Sequence, residues 1–410
     1  MNWLTTPAHT RWLESETDRL LDFGRASVDP RGGFGWLDEA GSRVASRPTE
    51  LWITCRMTHC YAIGSLLGRP GSAALADHGV AALTGRFQDT EHGGWYSAVG
   101  AKGPTNDAKE AYAHAFVILA ASSAAAAERP GARELLERAL AVSERHFWDD
   151  ELGMSRESFS RDWAVPEKYR GINANMHTVE AYLASSDVTG NFRWLRRAVR
   201  ILDRAVNDLA RNNNWRLPEH FAEDWTPDLD YNKTTPAHPF RPYGATIGHA
   251  FEWARLTIQA AASLERAGMA APEWMVPAAR TLYDQAVTEG WQVDGAPGFV
   301  YTIDWDGKPV VRERMHWVAA EAIAAAAALW ARTKHETLAE QYRRWWEYVG
   351  EFHLDREGGS WWHELGPDNK PSRTVWEGKA DIYHAIQATL IPRLPLNPAI
   401  APSLAAGNLV

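Results

Sequence analysis

A Gly/aromatic turn cluster recurs six times along the 410 residues, each time ahead of a Trp- or Ala-rich helical stretch, with a spacing of about sixty for most of the length. The clusters are GGFGWLDEAG (32–41), GGWYSAVG (93–100), LGMSRESF (152–159), RLPEHF (216–221), GAPGFVYTIDWDG (295–307) and GGSWWHELG (358–366). A period of this size marks a supersecondary unit that cannot bury its apolar face alone, so its copies must stack around a shared core.

Between the clusters the pattern gives two helices per repeat. Stretches 51–67, 108–126, 173–185, 244–262, 316–331 and 378–390 are small and apolar on most sides, as buried helices are. Stretches 71–87, 132–146, 192–212, 272–290 and 337–352, with the N-terminal 10–23, keep a polar face. Six inner and six outer helices predict an all-α (α/α)6 barrel, because an open array would need polar capping helices at both ends. Strand signals are short: 298–303 and 308–311 flank a Trp305-Asp306-Gly307 turn of hairpin type, so short β-hairpins should decorate the loops. Residues 217–242 hold five prolines and no apolar periodicity, which predicts a rim over the site. A closed ring can share one core over this length, and 1–410 is expected to form a single catalytic domain.

A net charge of −9 without a basic stripe argues against nucleic acid or an anionic membrane surface as partner. No stretch is long and apolar enough to span a bilayer. Cys55 and Cys60 lie five positions apart, on different faces of a helix and poorly placed for a disulfide, which points to a reducing, cytoplasmic setting. The 21 Trp exceed what packing alone demands and fit a cleft for the apolar faces of a sugar.

The inner helices carry polar residues that should converge at one mouth: Arg56, Tyr112, Asn173, His177, His249, Glu252, Glu321, Asp381 and His384. Burying such groups costs about 1–3 kcal/mol each unless they are paired, so six helices each aiming one inward is not a packing accident. His249/Glu252 and Asp381/His384 share the i, i+3 spacing of one helix face, where a carboxylate can fix an imidazole tautomer for acid/base work near neutral pH. His59, Cys60 and His114 are read as packing residues. A zinc site from His177, His249 and His384 lacks any supporting ligand spacing, so no metal is expected, and without a Gly-rich phosphate cradle no nucleotide cofactor either.

At RMTHCYAIG, NANMHTVEAYL, GHAFEWARL, MHWVAAEAI and WEGKADIYHAIQATLIP the chain resembles the N-acylglucosamine 2-epimerase superfamily, and within it the cofactor-free aldose–ketose isomerases. The resemblance implies that His249 and His384 are the acid/base pair. It also implies that Arg56, Tyr112, Asn173, His177, Glu252, Trp317, Glu321, Trp376 and Asp381 line a pocket for a monosaccharide. The implied reaction interconverts D-mannose and D-fructose through a cis-enediol, with D-lyxose to D-xylulose as a side reaction; sugar 2-epimerisation and sulfoquinovose isomerisation are the alternatives. Two other classes compete. A glycoside hydrolase would recruit Glu252, Glu321 and Asp381, and a sugar-binding protein would show affinity without turnover.

Overall fold

Helix α1 (Pro7–Gly24) is followed by five helix pairs: α2 (Leu51–Leu66) with α3 (Ser72–Thr84), α4 (Ala111–Ala126) with α5 (Ala132–Val142), α6 (Ile172–Thr189) with α7 (Phe192–Leu202), α8 (Ile247–Arg266) with α9 (Met275–Gly290), and α10 (His316–Thr333) with α11 (Glu336–Tyr348). Helices α12 (Tyr383–Leu390) and α13 (Ile400–Ala405) complete the chain, whose computed structural model describes residues 1–409. The even-numbered helices α2 to α12 pack side by side in a ring that closes where α12 meets α2. Each inner helix carries an outer one, and α1, first in sequence, serves α12, last of the ring. The fold is an (α/α)6 barrel.

Side-chain size sets how closely the layers approach. A Cβ added to Gly79 of α3 would lie 2.0 Å from Thr58 Oγ1 of α2, so this crossing exists only with glycine there. Helix α10 is half alanine and is buried from Val318 to Leu329, which lets α8 pack tightly along it.

The recurring clusters stitch the ring together at its mouth. The two residues before each of five inner helices form a short antiparallel pair with the next repeat's cluster: Thr49–Glu50 with the strand Ala98–Gly100, Lys109–Glu110 with Ser158–Phe159, Arg170–Gly171 with His220–Phe221, Ala245–Thr246 with Thr302–Ile303, and Arg314–Met315 with Glu364–Leu365. Buried acids just ahead of the clusters reinforce the same junctions. Asp89 accepts from Lys109 at 2.9 Å, Asp294 from Arg314 at 2.6 Å, and Asp29 from Thr49 at 2.9 Å. The hairpin around Gly307 forms with shorter arms, Thr302–Ile303 and Pro309–Val311.

Three departures from the sequence reading matter. The sixth inner helix starts at Tyr383 rather than at 378, because the Asp381 carboxylate accepts from the Tyr383 amide at 2.8 Å and caps the helix from outside. Outer helices α5, α7 and α11 end in π-helical turns at Ser143–Phe147, Asp203–Ala210 and Val349–His353, which apolar periodicity does not distinguish from α-helix. Helix α13 was not anticipated; it packs under α2, α4 and α6. The segment 217–242 does form a rim, with Pro239 and Phe240 lining the cavity described below, and it is tied down: it contributes a strand to the stitching, and its Leu229 carbonyl accepts from Trp305 Nε1 at 2.6 Å. Among the described residues no helix is long and apolar enough to cross a membrane.

Candidate active site

The N-terminal ends of the inner helices surround a cavity, a concave site of the kind that takes small molecules. Ten of the eleven residues singled out from sequence line it. Arg56 comes from α2, Tyr112 from α4, Asn173 and His177 from α6, His249 and Glu252 from α8, Trp317 from α10, and His384 from α12. Trp376 and Asp381 reach it from the segment before α12. The eleventh, Glu321, does not touch the cavity and stands behind His384, 1% exposed.

Both imidazoles are backed by a carboxylate, but not by the ones that helix spacing suggests. His249 Nδ1 meets Glu219 at 2.9 and 3.0 Å, and His384 Nδ1 meets Glu321 at 2.9 Å. Glu252, one turn from His249, turns away to accept from Arg255 at 3.2 Å. Asp381 lies outside the helix and pairs with Arg56 at 3.1 Å. The i, i+3 pairing inferred from sequence is therefore replaced by pairing between elements. An anionic carboxylate at Nδ1 selects the tautomer with the proton there, so Nε2 of each ring is left for a ligand. The Trp317 ring separates the two, with centroids 5.2 Å from His249 and 5.7 Å from His384.

Glu219 escaped the sequence reading, although its cluster RLPEHF was flagged. Its backbone carbonyl accepts from Ile172 N at 3.1 Å, at the start of α6, and its side chain reaches Thr246 N and His249 at the start of α8. It thus spans two neighbouring repeats. His316 and His363, also missed, line the cavity as a parallel stack with ring centroids 3.8 Å apart. Burial lowers both, His363 to about 3, and keeps the stack neutral.

The electrostatics divide the site. Burial works against the charge of Arg56 and Asp381 sustains it; the guanidinium donates to Asp381 and, at 3.0 Å, to the Tyr112 hydroxyl. Burial opposes ionisation of Asp381, and Arg56 overcomes it, keeping the carboxyl below its usual value. Burial lowers His384, while the Glu321 hydrogen bond partly offsets this. His177 is pushed down to about 4, chiefly by burial, and is neutral. Several buried polar atoms around the cavity have no protein partner, among them Arg56 Nε, Asn173 Oδ1, His177 Nδ1, Glu252 Oε2 and Trp376 Nε1. Buried groups left this way call for a ligand or water, and the presence of both donors and acceptors among them suits a polyhydroxylated one.

Two triads, His177/Glu180/Glu252 and Glu252/Glu321/His384, bring donor atoms within 4.8 Å of one another. The cation shared by Glu252 and Glu321 is the guanidinium of Arg255. The chain supplies that charge itself.

A family model described as N-acylglucosamine 2-epimerase matches residues 32–388. The chain is 50% identical to a D-mannose isomerase of Thermobifida fusca over 98% of each chain. It is likewise 50% identical to one of Pseudomonas cannabina pv. alisalensis, covering 98% of this chain and 97% of the other. A crystal structure of D-mannose isomerase superposes with a TM-score of 0.86 at 30% identity, covering 94% of this chain and 98% of that one. The fold, the match over most of the chain and these relatives agree, and the chain belongs to the N-acylglucosamine 2-epimerase family.

Proposed function

We propose that this protein is an aldose–ketose isomerase that interconverts D-mannose and D-fructose, with D-lyxose and D-xylulose as a secondary pair. The observation that carries the reading is the pair of imidazoles lining one cavity, each with a carboxylate at Nδ1 and Nε2 left for substrate. The 50% identity to curated D-mannose isomerases selects the sugar.

In this reading neutral His384 removes the C2 proton of the open-chain aldose at Nε2 and returns it to C1. The resulting imidazolium is stabilised by Glu321 across Nδ1. His249, oriented by Glu219, opens the ring and exchanges protons between O1 and O2. Arg56 faces the enediolate oxygen with a charge already fixed by its neighbours, so no reorganisation is needed as the anion forms. Tyr112, Asn173, His177, Glu252, Trp317 and Trp376 hold the sugar. Because the cavity draws on α2 through α12, residues 1–410 act as one catalytic domain. A cytoplasmic setting suits Cys55 and Cys60, both free and buried.

The test is incubation of the EDTA-treated protein with D-mannose in heavy water, followed by NMR. Fructose is the expected product. Glucose alone would make the protein a 2-epimerase, and unchanged mannose would overturn the assignment.

A further inference from the structure

Arg255 is absent from the sugar cavity, yet it is the cation shared by Glu321, behind His384, and Glu252, at the cavity wall. It sits one turn below Glu252 on α8 and is 1% exposed. Its Nε donates to Glu321 Oε2 at 2.9 Å, Nη2 to Glu252 Oε1 at 3.2 Å and Nη1 to Gln259 at 3.1 Å. The other oxygen of Glu321 receives His384 Nδ1. A continuous line therefore runs from Arg255 through Glu321 to the imidazole.

Two buried carboxylates this close cannot both ionise cheaply beside a single cation. The geometry is unequal: the shorter bond goes to Glu321, which also has the imidazole, while Glu252 keeps one oxygen buried and unpartnered at the cavity. We infer that Arg255 is a positioning residue that decides which of the two carboxylates carries the charge, holding Glu321 as the anion behind His384 and leaving Glu252 as the proton-bearing acid at the sugar. The electrostatics run the same way. Burial and the Glu321 charge push Glu252 well above its usual value, whereas Arg255 and His384 hold Glu321 below its own against burial. The other groups facing this cluster are His177 and Glu180 from α6, Tyr383 from α12, and Arg56 from α2 beyond them.

This role rests on the isomerase reading, and its test separates the two. Full-length Arg255→Gln, Glu252→Gln and the double variant are compared by kcat/KM for D-mannose against pH. In parallel, the 15N signal of His384, assigned with His384→Asn, is followed in each protein. Loss of Arg255 is expected to lower kcat on the order of 100-fold with little change in KM. It should move the acidic limb to higher pH, because Glu321 without its cation protonates more readily. In the Glu252→Gln background, where no second carboxylate competes, the same loss should cost less than about fivefold, and because residues in contact couple for structural reasons too, it is the shift of the pH profile and of the His384 signal that a merely structural role does not produce. Arg255→Lys, which keeps a charge but loses the planar fork that fixes the geometry toward Glu321 and Glu252, should fall between wild type and Arg255→Gln and provides the reading if the glutamine variant does not fold. Equal losses in both backgrounds, or an unmoved pH profile and an unmoved His384 signal, would overturn the inference. Mannose left unchanged by the wild type, with His384 still shifting on loss of Arg255, would reject the proposed function and retain the positioning role.

Discussion

His384 and Glu219 carry the sharpest expectations at the scale of single residues. Removing the imidazole in His384→Ala should lower kcat by about 10³-fold or more, with mannose binding retained because sixteen residues besides it line the pocket. Glu219→Gln keeps an acceptor for His249 but removes its charge, and should lower kcat about 10- to 100-fold with KM nearly constant. Steady-state kinetics on both variants check this. A hydrolase would show the opposite order, with carboxylate losses at Glu252 or Asp381 more severe than loss of His384. The direction of the His384 shift fixes a pH dependence. The proton-accepting form must be neutral, and burial lowers its pKa. The acidic limb of kcat/KM should therefore lie below the ordinary histidine value of about 6.5. A limb at or above that value would show that the imidazole is not buried as found here.

Among the elements, α8 is the one on which the site turns. Gly248, next to His249, has no side chain because the Trp317 ring occupies that space: an added Cβ would sit 2.2 Å from Trp317 Cζ3. Gly248→Ala is expected to displace the tryptophan that stands between the two imidazoles and to cost about 1–3 kcal/mol. Thermal melts and kcat/KM should both fall. Gly79→Ala, which forces the α2–α3 crossing apart at Thr58, should cost a similar amount of stability and leave kcat per folded molecule unchanged, since that contact is remote from the cavity. Contrasting the two variants separates packing that merely holds the barrel from packing that aims the chemistry. The stitching pairs belong to the same scale. Glu219 works because the strand beside it, His220–Phe221, ties its repeat to Arg170–Gly171, and its side chain then lands on the next helix of the ring.

For the molecule as a whole, the buried neutral histidines set the acid limit. His59, His177 and His353 lie at about 4, and His114 and His363 at about 3, all lowered mainly by burial. Folded pKa values below the unfolded one mean that unfolding takes up protons, so stability is intact above about 6.5 and falls as pH drops through the window down to about 4 and 3. Each such group contributes up to about 1.4 kcal/mol per pH unit inside its window. Melting temperature followed from pH 7 to 4 should therefore decline steeply, and a flat profile would contradict the burial. The ring itself was legible from the sequence because period and helix polarity are local properties. A cluster recurring about every sixty residues and the alternation of apolar and half-polar helices leave closure as the way to bury both ends. The inward polar residues were legible for the same reason, since a charge on an otherwise apolar helix must point at something. Which carboxylate meets which imidazole was not. Helix spacing offered Glu252 to His249 and Asp381 to His384, whereas the folded chain gives them Glu219 from a loop and Glu321 from a neighbouring helix, and assigns Glu252 to Arg255 and Asp381 to Arg56. Pairing across the ring depends on how repeats register at the stitches and on where α12 begins. Those are long-range geometric facts that residue spacing within one helix does not contain.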